Sequence, residues 1–424
     1  MKYKKTTLPN GVRVIFVPTR DNPSATVMVA CETGSNYESK AESGLSHFLE
    51  HMLFKGTPTR PSAMAVATEL DAIGAESNAF TSGEMTAYYA KSEKRHWQKL
   101  LDVVSDIYLN PSFPEADLEK ERGVILQEIS MYEDLPQRHV WDVLGTLLYG
   151  DTPAGRSTIG TKESVQSFSR GDFLSYHRKH YTPSKTIIAI AGDIPASAVF
   201  AHVKKIFAAV PAAKKIGKEK VRAAQVAPAF LLKRKQSDQT HMIMAVRSYG
   251  AHNPRTMKAA VLMGILGDGM SSRLFQRLRE DMGACYYVSA SNNVSTDHGF
   301  ASIATGFDKT RAVEVVQAIV EECRHLTQEL VSEKELQKVK DYMASHLSMS
   351  LETTDALANF SIAEEIVHGE VRVPSALEAE LRKVTAEDVR RTARSLFVDG
   401  GLNLAVVGDL PDEKAVKKAL TFKK

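Results

Sequence analysis

The chain repeats part of itself at a spacing of 216 residues, and that repeat limits its fold more than any other feature. Ser169-Arg170-Gly171-Asp172 opens a helix-length stretch that leads to Ile190-Ala191-Gly192-Asp193. Thr385-Ala386-Glu387-Asp388 opens another that leads to Val406-Val407-Gly408-Asp409. Asp172 and Asp388 stand 216 residues apart, as do Asp193 and Asp409. In each copy a Ser or Thr precedes an Asp by three positions, close to a capping box, and a strand and a turn follow the helix. A weaker echo joins Ile73-Gly74-Ala75 to Met282-Gly283-Ala284. A duplicated chain of 424 residues is too long for one ordinary core and suits two similar domains.

The boundary falls in residues 211–228, where Lys214, Lys215, Lys218, Lys220 and Arg222 interrupt the periodic segments. Such a basic run reads as a solvated connector. The expected domains are therefore 1–210 and 229–424. Strand-like runs occur at Val12-Arg13-Val14-Ile15-Phe16-Val17, Thr26-Val27-Met28-Val29-Ala30, Ile187-Ile188-Ala189-Ile190 and Leu402-Asn403-Leu404-Ala405-Val406-Val407. Helical periodicity is clear over residues 44–55, 115–132 and 332–351. The expected class is α+β, each domain a mainly antiparallel sheet with helices packed on one face.

A net charge of +3 is small for this length and argues against nucleic acid or an anionic membrane as partner. No apolar run approaches the roughly 18 residues that span a bilayer, and the lysines near the N-terminus lead into a strand rather than an apolar leader. Cys31, Cys285 and Cys323 are too sparse for a disulfide framework. A cytoplasmic location is the expectation.

The segment His47-Phe48-Leu49-Glu50-His51 carries the chemistry. At about 100° per residue, Leu45, Phe48, Leu49, Met52 and Leu53 form one helical stripe, and His47, Glu50 and His51 fall on the opposite side. Histidines four apart stack one turn above each other, as two ligands of one ion require. Glu50 shares their arc and can reach a water on the metal's open side. A catalytic zinc usually has three protein ligands and one open position, so a third must come from elsewhere. The helix over residues 115–132 is the best source, because Glu121, Val124, Ile125, Glu128 and Tyr132 share one of its faces. Both carboxylates lie among apolar neighbours, where a bare charge is costly unless a cation or donors meet it. Local spacing does not separate Glu128 from Glu121.

With these residues in place, the chain resembles the inverzincins, the family of pitrilysin, insulinase and the mitochondrial processing peptidase. The matching stretch is Gly44-Leu45-Ser46-His47-Phe48-Leu49-Glu50-His51-Met52-Leu53-Phe54-Lys55-Gly56-Thr57. The family's ligating glutamate lies 77 positions after its second histidine, which selects Glu128, and a glutamate seven residues earlier matches Glu121 as a group that orients the site. Leu8-Pro9-Asn10-Gly11-Val12 and Asn78-Ala79-Phe80-Thr81 also fit. A second signature comprises Gly269-Met270-Ser271-Ser272-Arg273-Leu274-Phe275, Leu278-Arg279-Glu280 and Gly283-Ala284-Cys285-Tyr286. It implies that Arg279 and Tyr286 bind substrate near the scissile bond.

The resemblance implies a zinc endopeptidase with one ion per chain, held by His47, His51 and Glu128, with Glu50 as general base. The backbone at Asn78, Ala79 and Phe80 would take the peptide as an added strand. Longer family members have four such domains in a closed chamber, so this half-length chain is expected to form a homodimer, or to pair with a related partner. The alternatives are a noncatalytic scaffold subunit of the same fold and a structural zinc site without turnover. Relatives of the first kind lose motif residues that are all present here. The second needs a fourth protein ligand, and no Cys or His motif supplies one.

Overall fold

The computed structural model describes residues 1–222 and 224–423, and its chain divides into two compact units. The first contains β1 (Lys4–Thr7), β2 (Arg13–Pro18), β3 (Ser24–Cys31), β4 (Glu76–Thr81), β5 (Thr86–Glu93) and β6 (Thr186–Gly192), in the order β1-β2-β6-β3-β5-β4. Only β2 and β6 pair in parallel. Every residue of β6 is buried, which is why its sequence reads as an unbroken apolar run rather than an alternation.

One face of this sheet, including Ile15, Met28, Ala30, Ala189 and Ala191, packs against Leu357, Ala358 and Ile362 of the helix Thr354–His368. Tyr88 points to the other face and meets Tyr108 of the helix Trp97–Leu109. Helices thus cover both faces, where one was expected. The α+β class itself holds.

The second unit contains β7 (Ala229–Arg234), β8 (Thr240–Ser248), β9 (Cys285–Val294), β10 (Gly299–Phe307) and β11 (Leu402–Gly408), in the order β7-β11-β8-β10-β9. This repeats β2-β6-β3-β5-β4 strand for strand, again with one parallel pair, β7 with β11. The repeated segments are β6 and β11 with the helices before them, Arg170–His180 and Ala386–Leu396, and both helices begin in a capping box. Met242, Met244 and Val246 face the larger helical layer, which includes Thr256–Gly267 and Ala312–Gln328. Ile243, Ala245, Ala405 and Val407 face Val140, Leu144 and Leu148 of the helix Pro136–Tyr149.

The units do not follow a single cut near residue 220. Residues 130–155 belong to the second unit and residues 348–373 to the first. Each segment carries the helix that covers the second face of a sheet. Periodicity reveals that such a helix has an apolar side but not which sheet that side meets.

The basic connector is mostly exposed, as expected, but two of its lysines are paired. It has no helix or strand among its described residues, yet Lys215 pairs with Glu32 at 2.6 Å and Lys218 with Glu84 at 3.2 Å, the Lys218 side chain being only 9% exposed. No helix among the described residues is long and apolar enough to cross a membrane.

If the helix Thr354–His368 is part of the first unit's core, Ile362→Ala will lower stability by about 2–5 kcal/mol in urea unfolding. A loss under about 1 kcal/mol would mark the helix as peripheral, since surface substitutions fall in that range.

Candidate active site

The motif helix spans Leu45–Leu53 and starts at Gly44, whose φ of +92° lies in the left-handed region. A Cβ on Gly44 would stand 2.7 Å from the Cα of Gly160, so this turn admits only glycine. Leu45, Phe48, Leu49, Met52 and Leu53 are buried, as the apolar stripe requires. His47, Glu50 and His51 lie half-buried on the other side. The next strand in sequence, β4, runs beside this helix at the sheet edge, and its Thr81 hydroxyl donates to Glu50 Oε2 at 2.6 Å.

The glutamate helix spans Glu115–Asp134 and buries Leu118, Ile125 and Ile129. Glu121 and Glu128 are half-buried, whereas Val124, expected on their face, is 50% exposed. Arg122 anchors this helix: its guanidinium donates to the carbonyls of Val165 and of Phe168, the latter at 2.8 Å, and lies 5.8 Å from the centroid of the Phe48 ring. One residue thus ties the glutamate helix to the motif helix.

Glu128 Oε2 stands 3.7 Å from His47 Nε2 and 3.8 Å from His51 Nε2. The three ligand atoms all lie within 4.8 Å of one another, the single such His/Cys/Asp/Glu group among the described residues. These gaps are too long for hydrogen bonds. Tetrahedral zinc with bonds of about 2.0–2.2 Å sets its ligand atoms about 3.4 Å apart, so the group is close to zinc-sized. The donor set of two imidazoles and one carboxylate also suits zinc.

Local electrostatics support ligation. Burial, and then the neighbouring His51, push the His47 imidazole down to about 3, which leaves it neutral with a free lone pair. With His51 Nε2 turned to Glu128, the ring hydrogen belongs on Nδ1, which donates to Glu121 Oε2 at 3.2 Å. Lys55 Nζ holds the other Glu121 oxygen at 2.6 Å. Geometry therefore separates the two carboxylates that spacing left open: Glu128 faces both histidines, and Glu121 lies behind one of them. Burial pushes the Glu50 carboxyl up, against the Thr81 hydrogen bond and the charge of His51, and the Glu128 charge adds to the rise.

The remaining predicted residues come from other elements. Asn78, Ala79 and Phe80 are on β4. Phe80 packs on the sheet face opposite Thr81, and the Ala79 N–H donates to Asn78's own Oδ1 at 2.8 Å. Arg279 and Tyr286 belong to the second unit. Arg279 sits on the helical segment Phe275–Asp281, its guanidinium 4.9 Å from the Phe275 ring centroid and 5.5 Å from that of Tyr286. Tyr286 is 76% exposed on β9, an edge strand. Sequence reasoning assigned no role to Thr81 or Lys55. The spacing of Lys55, four residues after His51, was the one available signal for either.

Burial also holds His177 and His180 in the first unit down, to about 4 and about 3. A histidine depressed from 6.5 takes up its proton on unfolding between the two values, so its contribution is full above pH 6.5 and lost as pH falls toward the folded value. Glu38, raised by burial to about 7, acts in the opposite sense between pH 7 and 4.5. Glu50, also raised, adds to the Glu38 effect, but three histidines outweigh the two carboxyls, and the Tm of metal-free protein should fall between pH 7 and 5. A Tm that rose over that range would contradict the buried, neutral state of these rings.

Comparison with known proteins places the chain by family and by fold. Residues 13–162 match the model of "Insulinase (Peptidase family M16)", and residues 167–343 match "Peptidase M16 inactive domain". The chain is 35% identical to the uncharacterized zinc protease YmxG of Bacillus subtilis, over 93% of this chain and 96% of that one. It is 33% identical to an uncharacterized zinc protease of Streptomyces coelicolor, over 97% of this chain and 91% of that one. The fold is also that of a Helicobacter pylori protease, with a TM-score of 0.88 at 21% identity over 96% of this chain and 99% of that one. A structure from Pseudomonas fluorescens described as a peptidase M16 inactive domain gives 0.88 at 18% identity, over 96% and 98%.

Proposed function

The chain belongs to the insulinase family of peptidases, M16, and on that footing we propose that it is a zinc endopeptidase that cleaves flexible peptides. The observation that carries this reading is the set of His47 Nε2, His51 Nε2 and Glu128 Oε2, drawn from two helices to one zinc-sized gap. One zinc per chain, bound there with a fourth position left to solvent, would supply a Lewis acid and a water acidic enough to lose its proton near neutral pH.

Glu50 is the general base. It lies on the helix arc of both histidines, one oxygen is fixed by Thr81, and the other is left to accept a proton from the attacking water and pass it to the leaving amine. The raised pKa of this carboxyl suits both halves of that transfer. Glu121 holds the tautomer and orientation of His51.

The peptide adds to the open edge of β4. Its backbone takes over the Ala79 N–H that Asn78 now caps, so Asn78, Ala79 and Phe80 act through the main chain rather than through side-chain pockets. Such pairing selects extended, unstructured segments. Arg279 and Tyr286 donate hydrogen bonds to the substrate carbonyl or the tetrahedral oxyanion. Phe275 and Tyr286 flank the guanidinium, and among the described residues no carboxylate pairs with it. A homodimer would bring this pair from one copy to the zinc site of the other, and sizing that found only an active monomer would reject that arrangement.

Glu50→Gln should keep zinc and lower kcat on an unstructured peptide by about 100-fold or more, the loss expected when a general base is removed. Wild-type turnover in that variant would sink the assignment of Glu50. Glu128→Gln should instead release metal on dialysis, and an unchanged zinc content would remove Glu128 from the ligand set.

A further inference from the structure

The motif helix has an N-terminal turn that its own sequence does not cap. Gly44 occupies the capping position and has no side chain to accept a hydrogen bond. Ser or Asp there would normally do so, but the positive φ and the close approach of Gly160 exclude any side chain. The acceptor comes from a loop instead. Glu38, only 2% exposed, accepts from the Gly44 N–H at 2.8 Å through Oε2 and from the Ser46 N–H at 2.7 Å through Oε1.

No Lys or Arg side chain pairs with this carboxylate among the described residues. A buried charge without a counter-ion is costly, and here the Ser46 side chain, the helix N–H groups and the positive end of the helix dipole offset part of that cost. The surroundings hold it in place. Arg156 donates to the Glu38 carbonyl at 3.0 Å. The Ser46 hydroxyl lies 2.7 Å from the Tyr176 hydroxyl, on the repeated helix Arg170–His180, and that hydroxyl lies 3.4 Å from Thr33 Oγ1. His47 is the next residue after Ser46, and Glu50 is one turn further on.

We propose that Glu38 is a positioning residue for the zinc site, its buried carboxylate fixing the start of the motif helix and so the register of His47 and Glu50 against Glu128. The assignment rests on the zinc reading given above. A ligand set tolerates only a few tenths of an ångström, and the shift of a helix end moves a ligand and the base together. Tyr176 supports the same turn through Ser46.

The test compares wild type, Glu38→Gln, Tyr176→Phe and Val199→Ala. Val199 is fully buried in the helix Ala196–Phe207 and has no part in the site, so its variant controls for lost stability. Glu38→Gln keeps the shape but turns an amide N–H toward one of the two donors. Zinc affinity by chelator competition, kcat and KM on a flexible peptide, and Tm are measured for each.

Glu38→Gln should weaken zinc binding about tenfold or more and lower kcat about 10–100-fold, with KM changed less than about twofold. Tyr176→Phe should shift the same quantities less, and it decides the matter if Glu38→Gln does not fold. Val199→Ala should keep kcat and zinc affinity despite a lower Tm. Zinc affinity and kcat unchanged in the two site variants, or lost equally in Val199→Ala, would overturn the role of Glu38 while leaving the zinc reading intact. A wild type that neither bound zinc nor cleaved peptide would overturn that reading, and the role of Glu38 with it.

Discussion

Two imidazoles, each just under 4 Å from one carboxylate oxygen and all three ligand atoms within 4.8 Å of one another, are neither hydrogen-bonded to one another nor free to relax into water. Their spacing makes sense around a cation, and much of the first unit serves to keep it. The two helices that supply the ligands are separated by more than 60 residues of chain and share no covalent constraint. Their register depends on Arg122, which ties the glutamate helix to the carbonyls of Val165 and Phe168 at the end of the helix Lys162–Ser167 and to the Phe48 ring, and on the glycine crossing of Gly44 and Gly160 at the other end. Burial keeps His47 neutral, the Glu121 carboxylate orients His51, and a hydroxyl on the adjacent edge strand fixes one oxygen of Glu50. Each is a modest interaction, but together they leave the ligand atoms one arrangement.

Duplication supplied the scaffold without the chemistry. Both units run their five corresponding strands in one order, and both introduce the parallel central strand with a capped helix. In the second unit, the helix that follows β8 occupies the place of the motif helix in the strand order. It buries Ala259, Val261, Leu262, Met263, Ile265 and Leu266, with no histidine or carboxylate among them. An identical layer architecture therefore carries a metal constellation in one copy and plain core in the other, which is what a function set by residues rather than by fold looks like. What the second unit offers is a guanidinium flanked by two rings, a group suited to meeting a carbonyl or an anion.

Much of the candidate site was legible because helical periodicity converts spacing into direction. Residues four apart on one helix must share a face, so the sequence alone pairs His47 with His51. The third ligand was less legible, since Glu121 and Glu128 lie two turns apart on one face and local spacing treats them alike. Tertiary packing separates them by setting the height at which the two helices cross. Thr81 and Lys55 escaped for a related reason: a strand hydroxyl carries no periodic signal, the four-residue spacing of Lys55 from His51 does not name its partner, and only the folded chain brings them to Glu50 and Glu121.

The linear chain by itself determined the duplication, the α+β class, the apolar and ligand faces of the motif helix and the capped helices before β6 and β11. All of these follow from local backbone periods and short-range hydrogen bonding, which act within a few residues. Tertiary structure alone decided which helix covers the second face of each sheet, which of two like carboxylates faces the histidines and which loop carboxylate caps the motif helix. Those outcomes depend on close packing between distant segments, where an apolar stripe or a buried charge can find several partners and only the assembled core selects one.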